Sequence, residues 1–89
     1  MNYKKIYCNY FDYSPDEYYP CEICKKQSGP PHHIIFKSQG GKDEIGNLIG
    51  LCNNHHLQAH FRKEPYLHEE ELFEYHRAFM ESGFVDEYI

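Results

Sequence analysis

No run of the 89-residue chain is long and apolar enough to span a bilayer, so membrane insertion is not expected. The N-terminal MNYKKIYCNYFDYSP also lacks an apolar stretch of signal-peptide length. Secretion is therefore not expected, and a cytoplasmic, reducing setting is. There is no internal repeat and no low-complexity linker, which points to a single domain over residues 1–89. So short a chain buries only a modest apolar core and needs a staple. Positive charge is scarce: nine Lys and Arg face fourteen Asp and Glu, for a net charge of −5. That sum looks wrong for a nucleic-acid binder, so its distribution matters.

The charge is uneven. Residues 1–20, a Tyr-rich segment, carry Lys4 and Lys5 against Asp12, Asp16 and Glu17, a balance of −1. Residues 21–64 carry six cations against four acids, +2, and residues 65–89 carry Arg77 against seven acids, −6. The mildly basic middle also holds five of the seven histidines. The acidic tail reads first as a solvated helix face and second as a docking surface for a larger machine.

The six tyrosines of residues 1–19 read as padding for a small core with wet hydroxyls, ahead of base stacking or phosphate contact. Ser14-Pro15-Asp16-Glu17 resembles a helix start, with Ser14 as N-cap and Pro15 at the first helical position. His32 to Phe36 reads as a short strand and Asn47 to Leu51 as a second short strand or an extended approach to the next element, with a glycine-containing loop between. A helix is expected over 53–63, capped by Asn53 or Asn54 and ended by Pro65. A second is expected over 69–82. Its first turn holds Glu69, Glu70 and Glu71, its inner face Leu72, Tyr75, His76 and Phe79, and Gly83 stops it.

The cysteines are Cys8, Cys21, Cys24 and Cys52. In a secreted chain they would suggest two disulfides; in a reducing setting, metal. Cys21-x2-Cys24 and Cys52-x2-His55 are two pairs with the same spacing, and together they make a Cys3His set for structural Zn2+. Cys8 is left over as a free thiol in or near the core. His56 and His60 are one helical turn apart and share a face, whereas His55 points about 100° away from His56. The pair can therefore serve a second site. His32-His33 is the obvious source of a third ligand, and neighbouring strand residues face opposite ways. One of the two could bind metal and the other act as a base.

The run from Cys21 to His60, C-x2-C then HHIIF-x-SQGG then NLIGLC-x2-HH-x3-H, resembles the HNH endonucleases with a ββα-metal core. The resemblance implies a small α+β fold, with a strand–loop–strand–helix core around one divalent ion, a structural zinc beneath it and a C-terminal helix. It implies that His33, Asn47 and His56 fill the three named positions. His33 would be the general base; His32, His56 and His60 would hold the catalytic metal, as in colicin-type members; Asn47 would pin the long loop and help orient His33. It implies a DNA endonuclease leaving a 5′-phosphate and a 3′-hydroxyl. The chain departs from the family pattern at His55, where cysteine is commoner, and at Phe36, where many members have proline. No arginine for the scissile phosphate is evident; Lys37, Lys42, Arg62 and Lys63 are the candidates for DNA contact. Three imidazoles suit zinc, nickel, cobalt or manganese better than magnesium, and the catalytic ion stays open among Mg2+, Mn2+, Ni2+ and Zn2+. A histidine near its unperturbed pKa suits base work at neutral pH.

The expected activity is metal-dependent cleavage of DNA, by nicking or double-strand scission. The rival is a non-catalytic zinc-containing module that grips nucleic acid or serves a phage or mobile-element machine. Besides DNA, the expected partner is a second copy or another protein, since cations are few. By resemblance, a phage gene expressed in a bacterial host is the expected source.

Overall fold

The computed structural model describes residues 2–14 and 16–82. Helix α1 runs over Tyr3–Phe11. Strands β1 (His32–His33) and β2 (Leu48–Ile49) follow, then helices α2 (Asn53–Ala59) and α3 (Glu69–Ser82). This is a small α+β chain with a two-stranded sheet. No helix among the described residues is long and apolar enough to cross a membrane.

The tyrosines of the first segment serve mainly as core, through a helix that their low helix propensity hides. Tyr3, Tyr7 and Phe11 recur every four residues, so they form one stripe along α1. Asn2 caps the helix by accepting from the Lys4 N–H at 2.7 Å, and Asp12, at φ 60°, ends it in the left-handed region. Tyr7, Cys8, Phe11 and Tyr19 bury together with Leu48 and Phe79, whereas Tyr10 and Tyr18 stay exposed. The free thiol of Cys8 lies in this cluster, as expected.

The helix expected after Ser14 does not form among the described residues; Pro15 lies outside them. Ser14 still makes cap-like bonds: its carbonyl accepts from Glu17 N–H at 3.1 Å, and its hydroxyl from Asp16 N–H at 3.4 Å. The turn then opens because Tyr19 must enter the core and Pro20 pairs with Gln27 across the C-x2-C turn.

Both strands are shorter than expected. His32 pairs with Ile49 and His33 with Leu48, antiparallel. Beyond His33 the Asn47 side chain replaces a strand partner: its Oδ1 accepts from Ile35 N–H at 2.8 Å, and its Nδ2 donates to Ile35 O at 3.1 Å. Beyond Ile49, the Gly50 N–H turns into the core to donate to Glu22 at 3.0 Å.

Helix α2 ends before Pro65 is reached. Phe61 takes φ 60°, reversing the chain so that Leu67 is buried, with its N–H donating to Gln58 O at 3.0 Å. Its N-cap is Cys52, not Asn53 or Asn54. Helix α3 has the expected span, with Leu72, His76 and Phe79 inward; Tyr75, expected inward, is 43% exposed. Gly83 lies outside the described residues.

A second apolar cluster joins Cys21, Ile34, Ile49, Leu51, Cys52, Ala59, Leu67 and Leu72. Between the two clusters lies a polar pin that patterning did not reveal. The Glu22 carboxylate is fully buried and accepts from the Tyr7 hydroxyl and the Gly50 N–H, while His76 Nδ1 lies 2.7 Å from its other oxygen. His76 Nε2 meets the Ile45 carbonyl at 2.6 Å. One carboxylate thus ties α1, the C-x2-C turn, β2 and α3 together.

Candidate metal centres and active site

The Cys-x2-Cys turn is shaped by backbone bonds. Cys21 N–H donates to Lys26 O at 2.6 Å, Lys25 N–H donates to Cys21 O at 2.9 Å, and Lys25 takes φ 69°. This aims Cys21 and Cys24 at the start of α2, where Cys52 and His55 wait. One donor atom from each of the four lies within 4.8 Å of all the others. Cys24 Sγ and Cys52 Sγ are 3.7 Å apart, too far for a disulfide. Cys21 Sγ lies 3.6 Å and Cys52 Sγ 3.2 Å from His55 Nδ1. A tetrahedral zinc with ordinary bond lengths spaces sulfurs by about 3.8 Å and sulfur from imidazole nitrogen by about 3.6 Å. The donor set therefore fits that ion. Burial raises the Cys52 thiol, but the N–H groups at the start of α2 and the neighbouring cysteines outweigh it and pull the pKa below its usual value. Burial also lowers the His55 pKa, favouring the neutral imidazole that ligates.

His32, on β1, and His56 and His60, one turn apart at the end of α2, form the second set, again within 4.8 Å. His56 Nε2 and His60 Nε2 are 3.0 Å apart, close to the roughly 3.3 Å between two imidazole nitrogens on one tetrahedral ion. The His32 ring packs edge-on against both. Among the described residues, His32 Nε2 is the buried side-chain nitrogen or oxygen left without a hydrogen-bond partner. A buried ring nitrogen without a partner is costly, and a cation beside it removes the cost. Burial, then the neighbouring imidazoles of His56, His60 and His33, push the His32 pKa down to about 3. His56 is lowered by burial and by His60. Both shifts favour the neutral form, in which a ring nitrogen offers its lone pair. The residues present fit a divalent ion.

His33 follows His32 and points differently, as strand alternation requires. Its Nε2 lies 2.7 Å from Asp43 Oδ1. The Tyr3 ring, from α1, rests against it at 4.7 Å between centroids. Tyr3, Pro30, Pro31, Phe36 and Lys37 join His32, His33, His56 and His60 around one cleft of about 360 Å³. Phe36 stacks on the His60 ring at 5.3 Å. A roomier groove of about 510 Å³, between α1 and α3, has no cysteine and only His76, whose ring nitrogens are already engaged.

Asn47 is buried and does not line the cleft. Its hydrogen bonds run to the backbone of Ile35 and, through Nδ2 at 3.1 Å, to the Lys42 carbonyl. The residue that touches the His33 ring by hydrogen bond is Asp43. Of the four cations considered for DNA contact, Lys37 lines the cleft; Lys42, Arg62 and Lys63 are exposed outside its lining. Sequence reasoning missed Tyr3 and Asp43. For Tyr3 the signal was its four-residue spacing from Tyr7. For Asp43 there was none beyond a carboxylate in a loop beside a histidine strand.

The model of the HNH endonuclease family matches residues 21–62, which carry both ligand sets, His33 and Asn47. Through those residues the chain belongs to the HNH endonuclease family. A curated relative, "Probable mobile endonuclease C" of Enterobacteria phage T4, is 37% identical over 60 residues, covering 67% of this chain. The chain spans 28% of that relative's length. No solved structure matches the chain. Helix α1, the source of Tyr3, and helix α3 lie outside the residues that the family model matches.

Proposed function

We propose that the chain is a divalent-metal-dependent endonuclease that hydrolyses DNA phosphodiester bonds, with His33 as general base. The observation that carries this reading is the cleft itself: three imidazoles converge, one of them His32 with a buried, unpartnered Nε2, and a fourth histidine stands free of the set beside them. Binding alone would need none of that.

His32, His56 and His60 would hold the ion, which supplies positive charge to the oxygens that become more negative as the phosphodiester is attacked. His33 takes a proton from a water molecule at its free ring nitrogen. The water oxygen forms a bond to phosphorus, the bond to the 3′ oxygen breaks, and that oxygen takes a proton from solvent. The products carry a 5′-phosphate and a 3′-hydroxyl. Lys37, which lines the cleft, would meet a phosphate. Cys21, Cys24, Cys52 and His55 would hold a structural zinc, the staple that this short chain needs. The resemblance to a mobile endonuclease of a phage supports a phage or mobile-element setting.

The test is a supercoiled-plasmid assay at low salt with Mg2+, Mn2+, Ni2+ or Zn2+ added in turn, comparing the parent with His56→Ala. Metal-dependent nicking by the parent and at least a hundredfold loss in the variant are expected. Equal rates in both, or nicking that persists in chelator, would contradict the assignment.

A further inference from the structure

The geometry points to Asp43 as the positioning residue of His33, holding the base in one orientation and one tautomer through the bond to Nε2. This rests on the reading of His33 as general base. In a neutral imidazole one nitrogen carries the proton and the other the lone pair, and the hydrogen bond at one decides the state of the other. An ionised carboxylate only accepts, so the 2.7 Å contact makes Nε2 the donor. Nδ1 then carries the lone pair, and it has no protein partner among the described residues. A base acts at the nitrogen that holds a lone pair within reach of the water. Asp43 therefore selects which nitrogen works.

A surface ion pair would do none of this, because neither partner would be held. Here both are. His33 is only 13% exposed, anchored on β1 and packed by the Tyr3 ring. Asp43 sits in a braced loop. Asn47 Nδ2 grips the carbonyl of Lys42, the residue just before it. Two residues earlier, the Gly41 N–H donates to Phe36 O at 3.0 Å, and a Cβ on Gly41 would come within 1.8 Å of Ile35 O. The loop can close this tightly only because Gly41 has no side chain. Lys37 Nζ, 3.4 Å from the second oxygen of Asp43, supplies counter-charge from the same cleft wall. The His33 bond first, and Lys37 after it, keep the Asp43 carboxyl ionised below its usual range. Asn47 thus reaches the base indirectly, through the Lys42 backbone and then Asp43.

The experiment compares zinc-loaded parent, Asp43→Ala, Asp43→Asn and His33→Ala, all full-length and checked for zinc content and melting temperature. Plasmid nicking gives kcat and KM, and NMR of the 15N-histidine-labelled proteins reads which His33 nitrogen holds the proton. Asp43→Ala is expected to lower kcat by roughly tenfold to a hundredfold, the usual effect of losing an outer-shell orienting partner. KM is expected to stay within about twofold, and the hydrogen-bonded Nε2–H signal to disappear. Asp43→Asn, which keeps an oxygen acceptor without the charge, is expected to retain the Nε2–H form and recover part of the rate. It also carries the test if Asp43→Ala folds poorly. An Asp43→Ala enzyme as fast as the parent, beside an inert His33→Ala, would overturn this inference alone. So would a loss confined to KM, or an unchanged Nε2–H signal. Parental nicking by His33→Ala would overturn the base reading and this inference with it.

Discussion

Replacing His76 with phenylalanine should be one of the most damaging single changes in the core, although it leaves every cleft residue untouched. His76 is 2% exposed, and its two ring nitrogens meet the Glu22 carboxylate at 2.7 Å and the Ile45 carbonyl at 2.6 Å. Phenylalanine fills similar space but offers no donor. Glu22, whose side chain is fully buried, keeps only the Tyr7 hydroxyl and the Gly50 N–H. Ile45 O loses its imidazole donor. Leaving the buried Glu22 carboxyl oxygen and the Ile45 carbonyl each short of a hydrogen-bond partner costs about 1–3 kcal/mol apiece. A small domain has little more than about 5 kcal/mol in all. Urea unfolding of the zinc-loaded protein at 25 °C, followed by circular dichroism, would show a midpoint near zero denaturant. Arg77→Ala, on the exposed side of α3, should change stability by less than about 0.5 kcal/mol. In the His76→Phe background, Glu22→Gln should cost far less than it does alone, since the contact between the two side chains is already gone. A His76→Phe loss below about 1 kcal/mol, or strict additivity in the double mutant, would refute the buried-pin argument.

Gly41→Ala should destabilise the loop by about 1–3 kcal/mol or more and slow nicking, because its Cβ would meet Ile35 and Phe36 backbone atoms at 1.8–2.9 Å; urea melts paired with the plasmid assay check both effects. Stability should also fall as pH rises from about 10, the ordinary tyrosine value. Burial, with Glu22 adding to it, lifts the Tyr7 pKa far above that value, and burial chiefly pushes Tyr19 up to about 12. The folded chain holds these protons where the unfolded chain releases them, so their contribution is complete below pH 10 and lost above it. A pH series of urea melts, with Tyr7→Phe showing a shallower alkaline decline, measures this.

What was legible in the sequence was what short spacing encodes. Cys21-x2-Cys24 and Cys52-x2-His55 each fit one turn, and His56 and His60 share a helix face. Residue type and interval alone therefore announce the Cys3His set and the His56–His60 pair, while His32 as the third histidine came from the family resemblance; the structure brings each set together. Helix α3 was legible because acids at its start and apolar residues at helical period agree. Tertiary contacts decided the rest. Glu22 lies inside the C-x2-C turn, and nothing local says that its partner is His76, 54 positions away. The strands stop early because the Asn47 side chain takes over the bonds of Ile35. Helix α2 stops early because Phe61 adopts a left-handed conformation that a phenylalanine does not advertise. Asp43 reaches His33 across a ten-residue separation set by the fold of the loop.

The central claim is that the Cys3His set and the histidine cleft do different work, the first holding the fold and the second, with His33 in it, cutting. The most direct test measures zinc content, melting temperature and plasmid nicking on parent, His33→Ala and Cys24→Ala side by side. His33→Ala should keep its zinc and its melting temperature while losing cleavage. Cys24→Ala should lose zinc and unfold. Equal loss of stability in both variants, or a Cys24→Ala protein that stays folded without zinc and still cuts, would contradict it.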